Sequence, residues 1–388
     1  TGTGTTVIMD GANTNLASGQ GVLAATGVIP AGTRIASVTS TSDPATFELD
    51  TNMTATLAAD TTLTFSGALA SDDNTFIGYG AGGGTWTYSE SSHNTAIGSY
   101  ALDAALDGSN GTIAIGSSAL TALTSGEKNT AIGYNAMLSA TEAVSNTAIG
   151  YGALDAIAGE TTEGNVGKWN VAIGVDSMGG VNGGSHASST VNSNIAIGES
   201  ALSGSSFSSN NRQMDGNIAI GHQVLTSTAD NTQTGTIGIG YKALNSLTLG
   251  AGNLAIGYNA LLGHTTGGYN IAIGHSAMDG TGGATVLGST NNTFIGYEAG
   301  SGTWETAVSN FNVGIGNYTM DGALNGALNN TALGYNALSA MTEGDDNVGI
   351  GHSSGGSIGT GDFNTFVGSS SDGTGSVSFQ TAIGYNAT

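Results

Sequence analysis

The chain has 388 residues, a formal net charge of −23, 66 glycines, two prolines and no cysteine. Its five Lys and Arg residues argue against binding to nucleic-acid phosphates, which needs clustered cations, and the lack of cysteine excludes disulfides and thiolate metal sites. Glycine does not recur at every third residue, which excludes collagen, and an apolar content of 38% at fixed spacing argues against disorder.

Residues 1–70 precede the repeats and contain both prolines, Pro30 and Pro44. Alternating apolar and polar residues, separated by Gly, Asp, Ser and Asn, predict short strands at 6–9, 21–29, 33–38, 45–49, 54–57 and 62–65. We interpret this segment as a small β domain that caps the repeats or attaches them to another subunit. A solenoid needs such a cap because its end strands would otherwise pair with other chains.

Residues 71–388 contain a repeated phrase, N-T-A-I-G with near variants, which occurs 17 times between Asn74 and Gly384. We number its five residues as repeat positions 1 to 5. Self-similarity at a nearly fixed period is typical of solenoids, in which each repeat buries its apolar side by stacking on its neighbours. The sequence therefore predicts an all-β fold, a β-solenoid of the β-roll or β-helix type with about 17 coils.

Side-chain direction within the phrase follows from strand geometry, since alternate residues share a face. Positions 2 and 4 hold Thr, Ile, Val or Leu, and we expect them to point inward. Position 3, usually Ala, and position 1 then belong to the opposite face. Glycine at position 5 is expected where the chain turns tightly or approaches another backbone, and the Ala-Leu or Ala-Met that follows supplies a second inward contact.

Position 1 is Asn in 14 of the 17 copies, with Thr112, Thr236 and Gln380 as the exceptions. Stacked amides form hydrogen-bonded ladders along a solenoid axis, so we expect a structural role for this column. The asparagines of the predicted ladder are Asn74, Asn94, Asn129, Asn146, Asn170, Asn194, Asn217, Asn253, Asn270, Asn292, Asn312, Asn330, Asn347 and Asn364.

The repeat spacing lengthens in the middle of the chain, over about residues 155–220. Insertions of this kind often mark the binding face of a repeat protein. An exposed Trp beside a Lys is a candidate contact for a receptor or a glycan, although Trp169 could instead fill the corner of a long loop. The candidate contact residues in these insertions are Lys168, Trp169, His186, Phe207 and Arg212.

The residue after position 5 is Tyr in eight copies and His at His222, His275 and His352. A row of aromatic rings either stacks against sugars or fills an interface between chains, and we favour packing between chains. The histidines do not have the paired spacing of a metal site.

Two acidic pairs, Asp72-Asp73 and Asp345-Asp346, precede the phrase and could hold Ca²⁺ through carboxylate oxygens. No calcium-loop consensus surrounds them, so we expect solvated turn residues and no cofactor.

Signals of enzymatic activity are weak, and we expect a protein that is not an enzyme. The sequence has no P-loop, no G-x-S-x-G and no H-E-x-x-H motif. A glycan depolymerase with two carboxylates is the less favoured alternative. The acidic residues near the insertions are Asp155, Glu160, Glu163 and Asp176.

The phrase resembles the S-V-A-I-G signature of the head repeats of trimeric autotransporter adhesins, the YadA-like left-handed β-roll. The resemblance covers residues 74–388 and rests on [T/I/V]-A-I-G, as at 195–198 and 271–274. The longer version N-T-A-I-G-Y-N-A-[L/M], as at 129–137, is still more similar to tandem repeats of phage tail fibres. The repeats are longer than those of adhesins, and no heptad stalk or membrane anchor is found, which favours the phage-fibre interpretation.

The resemblance implies a homotrimeric fibre subunit that attaches to a glycan or protein on a host cell surface. Residues 1–70 would then join other virion or filament subunits, and a C-terminal chaperone segment would have been removed beyond Thr388. Such a chain would be extracellular, in a virion or at a cell surface, where an acidic, cation-poor rod stays soluble and offers few sites to trypsin-like proteases. We find no apolar run that could insert into a membrane.

Three alternatives remain open at this point. A self-assembling extracellular filament and a bacterial surface adhesin would use the same rod. An ice-binding solenoid would need an unbroken column of Thr, and the mixture of Thr with Ile and Val at position 2 counts against it.

Overall fold

The computed structural model describes residues 73–84, 91–157, 167–181, 189–204, 213–228, 232–281, 288–304 and 307–388, and the backbone of six strands before them. All the regular structure in these residues is β-strand, as predicted. Within them, no helix is long and apolar enough to cross a membrane.

The six strands of the N-terminal segment form two antiparallel sheets. The strands are β1 (Gly2–Thr3), β2 (Thr6–Ile8), β3 (Gly21–Ala24), β4 (Ile35–Ser40), β5 (Thr46–Leu49) and β6 (Leu63–Ser66). One sheet has the order β1-β2-β5-β4, and the other pairs β3 with β6. Five of these strands overlap the predicted segments, and the predicted strand at 54–57 lies outside the described residues.

Twenty short strands follow in the described residues. In chain order they are β7 (Thr75–Ile77), β8 (Thr95–Ile97), β9 (Ile113–Ile115), β10 (Thr130–Ile132), β11 (Thr147–Ile149), β12 (Val171–Ile173), β13 (Thr190–Asn192), β14 (Ile195–Ile197), β15 (Gln213–Asp215), β16 (Ile218–Ile220), β17 (Gln233–Thr234), β18 (Ile237–Ile239), β19 (Leu254–Ile256), β20 (Ile271–Ile273), β21 (Thr293–Ile295), β22 (Val313–Ile315), β23 (Thr331–Leu333), β24 (Val348–Ile350), β25 (Thr365–Val367) and β26 (Thr381–Ile383).

Seventeen of these strands, all except β13, β15 and β17, form one parallel sheet in which each coil contributes one strand. The register does not slip, because each repeat position pairs with the same position of the next coil, as Thr130 does with Thr147 and Ala131 with Ala148. Sixteen strand-to-strand steps give the sheet a length of about 77 Å along the solenoid axis. The predicted β-solenoid is confirmed.

A second parallel sheet lies on another side of the coil and consists of β13, β15 and β17. Single bridges from Val144 to Lys168 and from Lys168 to Asn192 extend its pairing toward the N-terminal coils. Its strands β13 and β15 lie in coils that carry long insertions, and β17 lies in the coil after them.

The predicted direction of the strand side chains was wrong. From the second coil onward position 3 is buried, as Ala131 and Ala148 are with no exposed surface, and so are the asparagines at position 1. Positions 2 and 4 point outward, and the exposed fraction reaches 58% at Ile77 and 46% at Leu333. The reason is that the interior is narrow. In most coils the Leu or Met four residues after the position-5 glycine already fills it, so only the methyl group of Ala fits beneath the strand.

Coils that carry Phe at position 3 show how tightly the interior volume is set. Phe294 is fully buried, and in its coil Gly300 stands where other coils have Leu or Met. A Cβ on Gly300 would lie 2.8 Å from the Phe294 ring. Large and small residues therefore exchange places while the packed volume is kept.

Glycine at position 5 is required for two reasons, as expected from the sequence. Gly133 has a φ of 143°, and a Cβ on it would overlap the carbonyl oxygen of Gly150 in the next coil. Both its conformation and its space exclude a side chain.

Candidate interaction surfaces of the solenoid

The position-1 asparagines form a buried column along the solenoid axis. Asn146 Oδ1 accepts hydrogen bonds from the backbone N and from Nδ2 of Asn170, both at 2.9 Å. Asn170 Nδ2 also donates to the carbonyl of Val191 at 2.8 Å. Each amide therefore ties its own coil to the coil before it. Side-chain pairing is interrupted where Thr112 and Thr236 replace Asn, since a hydroxyl cannot offer both groups of an amide.

The outward side chains at positions 2 and 4 make up what we call the apolar face. Position 2 holds Thr, Ile, Val or Leu and position 4 holds Ile, Leu or Val, so no coil places a charge on this face. In six consecutive coils, from Val171 to Ile273, both positions are aliphatic. Most of these side chains are half-exposed in the single chain. A continuous uncharged stripe of this length is unusual for the surface of a monomer.

An aromatic column borders the apolar face at the side where each strand ends. Eight consecutive coils each contribute one ring, and neighbouring ring centroids are 4.9 to 5.7 Å apart. The rings are His222, Tyr241, Tyr258, His275, Tyr297, Tyr318, Tyr335 and His352. The structure thus brings the rings into contact within one chain, and packing between chains stays a prediction.

Charged groups near this column act on individual rings. Lys242 Nζ lies 5.3 Å from the centroid of the Tyr241 ring, within the range of a cation–π contact. His222 Nε2 lies 3.6 Å from a carboxylate oxygen of Glu199. The hydrogen bond between Tyr297 and Glu298, together with the charge of that carboxylate, raises the pKa of the Tyr297 phenol to about 12.

The residue directly before position 1 occupies the corner at which the chain enters each strand, and we call these residues the corner column. All 17 have positive φ, between 55° and 69°. This conformation favours Gly, Asn and Asp, and it is strained for bulky side chains. Five corner residues are nevertheless aromatic, with exposed fractions of 51% to 77%. They are Trp169, Tyr269, Phe311, Phe363 and Phe379.

Sequence reasoning singled out only Trp169 among these corner aromatics. The signal was present, because each aromatic residue directly precedes a position-1 residue, as Tyr269 precedes Asn270. It was missed because a positive φ is not expected for an aromatic residue.

The candidate contact residues are only partly described. Lys168 and Trp169 are neighbours at one corner; the Trp169 side chain is 60% exposed, and Lys168 forms no ion pair with a described residue. His186, Phe207 and Arg212 lie outside the described residues. The structure therefore places two of the five.

The acidic candidates divide in the same way. Burial and then the nearby charge of Asp176 raise the pKa of Asp155, whereas Glu160 and Glu163 lie outside the described residues. These two aspartates belong to neighbouring coils, so their proximity follows from stacking. No further carboxylate joins them in the described part of the chain.

The Asp345-Asp346 pair, considered for Ca²⁺, has backbone partners. Asp345 Oδ1 accepts from the backbone N of Leu328 at 2.8 Å, and the backbone N of Asp345 donates to Asp362 Oδ1 at 2.8 Å. Burial, and then the charges of Asp362 and Asp346, raise the pKa of Asp345. Asp72 lies outside the described residues, among which no group of three or more His, Cys, Asp or Glu side chains could hold a metal ion.

His264 is a buried ionisable residue that the sequence did not bring to attention. Its Nδ1 lies 3.2 Å from Thr281 Oγ1, and its Nε2 lies 3.2 Å from the carbonyl oxygen of Gly267. Burial lowers the pKa of this imidazole to about 4. It is therefore neutral inside the folded solenoid at neutral pH.

Comparison of the chain with protein-family models, curated proteins and solved structures gives no match. The fold is accordingly assigned from the geometry of the chain itself. Its function has to be argued from the apolar face, the aromatic column and the corner column.

Proposed function

We propose that the chain is a structural subunit of an extracellular fibre or adhesin, which assembles with copies of itself and attaches to a host cell surface. A viral tail fibre or receptor-binding protein is the form that the repeat resemblance favours, and a homotrimer is the assembly that it implies. The observation that carries the proposal is the apolar face, which runs without a charge through 17 coils.

The size of this face supports association with another chain. The strand residues, positions 2 to 4, span about 10 Å across the sheet, and the sheet is about 77 Å long. The resulting footprint of about 770 Å² is comparable to the roughly 800 Å² that each partner buries in a stable interface. Since the interaction would be made by Ile, Val, Leu and the methyl groups of Thr, it would be dominated by the hydrophobic effect.

The charge distribution supports a second copy of the same chain as the partner. Each chain carries a net charge of −23, which would oppose association if the charges met. None of these charges is at position 2 or 4, so chains that meet through the apolar face keep them outside the contact. On another side of the coil, β13 and β15 present polar residues such as Thr190 and Gln213 outward.

The experiment introduces charge into the apolar face and measures the mass in solution. Ile220→Lys, Ile239→Lys and Ile256→Lys combined should lower the mass to that of one chain, because each copy would bury three cations in an apolar contact. Gln213→Lys with Thr234→Lys, on the polar sheet of the same region, is the matched control and should leave the mass unchanged. Equal masses for both variants would reject the apolar face as the contact.

The same measurement separates the alternatives. A mass that increases without limit with concentration would favour the self-assembling filament over a closed oligomer. A bacterial surface adhesin predicts the same closed oligomer, so the nature of the target surface has to decide between it and a tail fibre.

We propose no catalytic role for the chain. Asp155→Asn would abolish release of oligosaccharides from a host glycan only if the chain were a depolymerase.

Ice binding is a second candidate because position 2 points outward, as an ice-binding column must. Only eight of the 17 position-2 residues are Thr, and none of these lies in the six coils from Val171 to Ile273. Thermal hysteresis in a dilute solution of the purified chain would favour this function, and its absence would leave self-association as the use of the face.

A further inference from the structure

We infer that the corner column between Trp169 and Tyr269 forms a trough that binds an uncharged, linear glycan. This inference rests on the proposed attachment to a cell surface and names the chemical class of the ligand. It concerns a side of the coil other than the apolar face.

The floor of the trough consists of four small corner residues, Ser193, Gly216, Gly235 and Gly252. They form a continuous column, because each backbone N–H bonds to the preceding coil, as from Gly216 to the Asn192 carbonyl at 3.0 Å. A Cβ added to Gly216 or Gly235 would meet no described atom within 4 Å. No described residue therefore covers this part of the floor, and the five coil-to-coil steps from Trp169 to Tyr269 make the trough about 24 Å long.

An exposed aromatic side chain stands at each end of this floor. Trp169 and Tyr269 are 60% and 66% exposed, with φ of 58° and 61°. A Cβ on Gly252 would lie 2.8 Å from the Tyr269 ring, so that ring lies over the end of the floor. The other corner aromatics share this strain and exposure, and Trp169 and Tyr269 differ from them in standing at the two ends of a floor of small residues.

A polar column runs beside the floor, one residue earlier in each coil. It consists of Lys168, Asn192, Asp215 and Thr234, which pair in parallel from coil to coil. Asn192 Oδ1 accepts from the backbone N of Lys168 at 2.9 Å, and Asp215 Oδ1 accepts from that of Asn192 at 2.8 Å. These bonds hold the side chains in place and leave Asn192 Nδ2 without a bond to another described residue.

This combination suits a sugar chain. An aromatic ring packs against the apolar side of a sugar ring, while donors and acceptors beside it bind the hydroxyl groups. The one cation and the one anion of the polar column balance, so the described residues of the site offer no net local charge to an ionic ligand. The net charge of −23 would repel a polyanion.

The test uses an array of linear uncharged oligosaccharides of hexose and N-acetylhexosamine units, probed with the full chain in its native assembly. Trp169→Ala should weaken binding to the recognised glycan by about tenfold or more. Phe311→Ala is the matched control, since Phe311 has the same corner position, a φ of 61° and 55% exposure, but lies outside the trough. It should change affinity by less than about twofold.

A second pair of variants fills the trough and leaves its two aromatic residues, Trp169 and Tyr269, unmutated. Ser193→Trp places a bulky side chain on the floor at a position that already holds a residue other than glycine at φ 57°. Ser145→Trp is its control, with the same φ of 57° one coil before Trp169. Ser193→Trp should abolish glycan binding, and Ser145→Trp should preserve it.

The outcomes separate this inference from the proposed function. A wild-type chain that forms the closed oligomer but binds no uncharged glycan would overturn the trough and leave the assembly standing. Binding of charged glycans or of proteins only, or equal losses in Trp169→Ala and Phe311→Ala, would also overturn it. A monomer that binds an uncharged glycan in a Trp169-dependent manner would support the trough and reject the oligomeric fibre.

Discussion

Asn194 shows what a single position-1 asparagine contributes to the solenoid. Its Oδ1 accepts from the backbone N and from Nδ2 of Asn217, both at 3.0 Å, and its own Nδ2 donates to Asn170 Oδ1 and to the Met214 carbonyl. The residue is fully buried. Since buried polar groups are costly when unpaired, the amide is specified by both its donor and its acceptor.

Asn194→Asp should therefore destabilise the folded chain by about 3 kcal/mol or more. The variant replaces the donating Nδ2 with a buried carboxylate oxygen, which would face the two acceptor oxygens of Asn170 and Met214. Asn194→Thr, the residue that replaces Asn in two natural coils, should cost less, about 1–3 kcal/mol. Chemical denaturation at fixed protein concentration measures both. Asn310→Asp is the control, because the part-buried Asn310 accepts through its Oδ1 from the backbone N and Oγ1 of Thr290, and it should be nearly neutral. Equal costs at positions 310 and 194 would contradict the role of the ladder.

His264 should make the stability of the folded chain dependent on pH. Its pKa is about 4 in the folded state and about 6.5 when unfolded, so between these values the unfolded chain binds the proton more strongly. The contribution is fully present above pH 6.5 and is lost as the pH falls toward 4, by roughly 3 kcal/mol at most.

His264→Leu copies Leu247, the residue at the same place one coil earlier, and should remove this part of the pH dependence. The measurement is the denaturation midpoint of wild type and variant between pH 4 and pH 7.5. The exposed His93→Gln serves as the control. If the denaturation midpoint of His264→Leu fell between pH 7.5 and pH 4 by as much as that of the wild type, His264 would not be the cause of the pH dependence.

At the scale of the coil, packing depends on which residue fills the space beneath the strand. Most coils combine Ala at position 3 with a buried Leu or Met, such as Ala131 with Met137, whereas Phe294 is combined with Gly300. The backbone of Leu261, at φ 52°, shows that Leu is accommodated in the conformation that Gly300 adopts at φ 65°. The two combinations are therefore exchangeable in principle.

Phe294→Ala should cost about 3–5 kcal/mol because it leaves a cavity in the core. Gly300→Leu alone should also destabilise, since its side chain would meet the Phe294 ring. The double variant should recover much of the loss, because it restores the Ala and Leu combination. Thermal denaturation of all four proteins measures the coupling, and purely additive losses would contradict volume exchange within the coil.

The repeat phrase predicted the solenoid and the strand locations correctly, but the direction of the strand residues could not be predicted from it. Positions 3 and 4 are both apolar, so alternation alone does not say which of them faces the core, and the larger Ile was assigned inward. The narrow interior decides the matter, and its width depends on Leu and Met residues that arrive from another part of the coil. The sequence left Trp169 open between a surface contact and the filling of a corner, and the structure places it at a corner with its side chain exposed. Tyr269 was missed because its corner conformation follows only from the path of the backbone.

At the scale of the whole molecule, reversing the strand residues changes the interpretation of the chain. With Ile inside, the solenoid would be complete as a single chain. With Ile outside, each chain exposes an uncharged face on one side and a polar sheet with an aromatic-bordered trough on another. A rod of about 77 Å that hides the first face between copies would keep the second available to a target surface.

The most direct test is the mass of the wild-type chain in solution, measured by sedimentation and light scattering over a wide range of concentrations. A closed homotrimer predicts a constant mass of about 114 kDa, three times the 38.0 kDa of one chain. A constant mass of 38.0 kDa, with the apolar face open to solvent, would contradict the account.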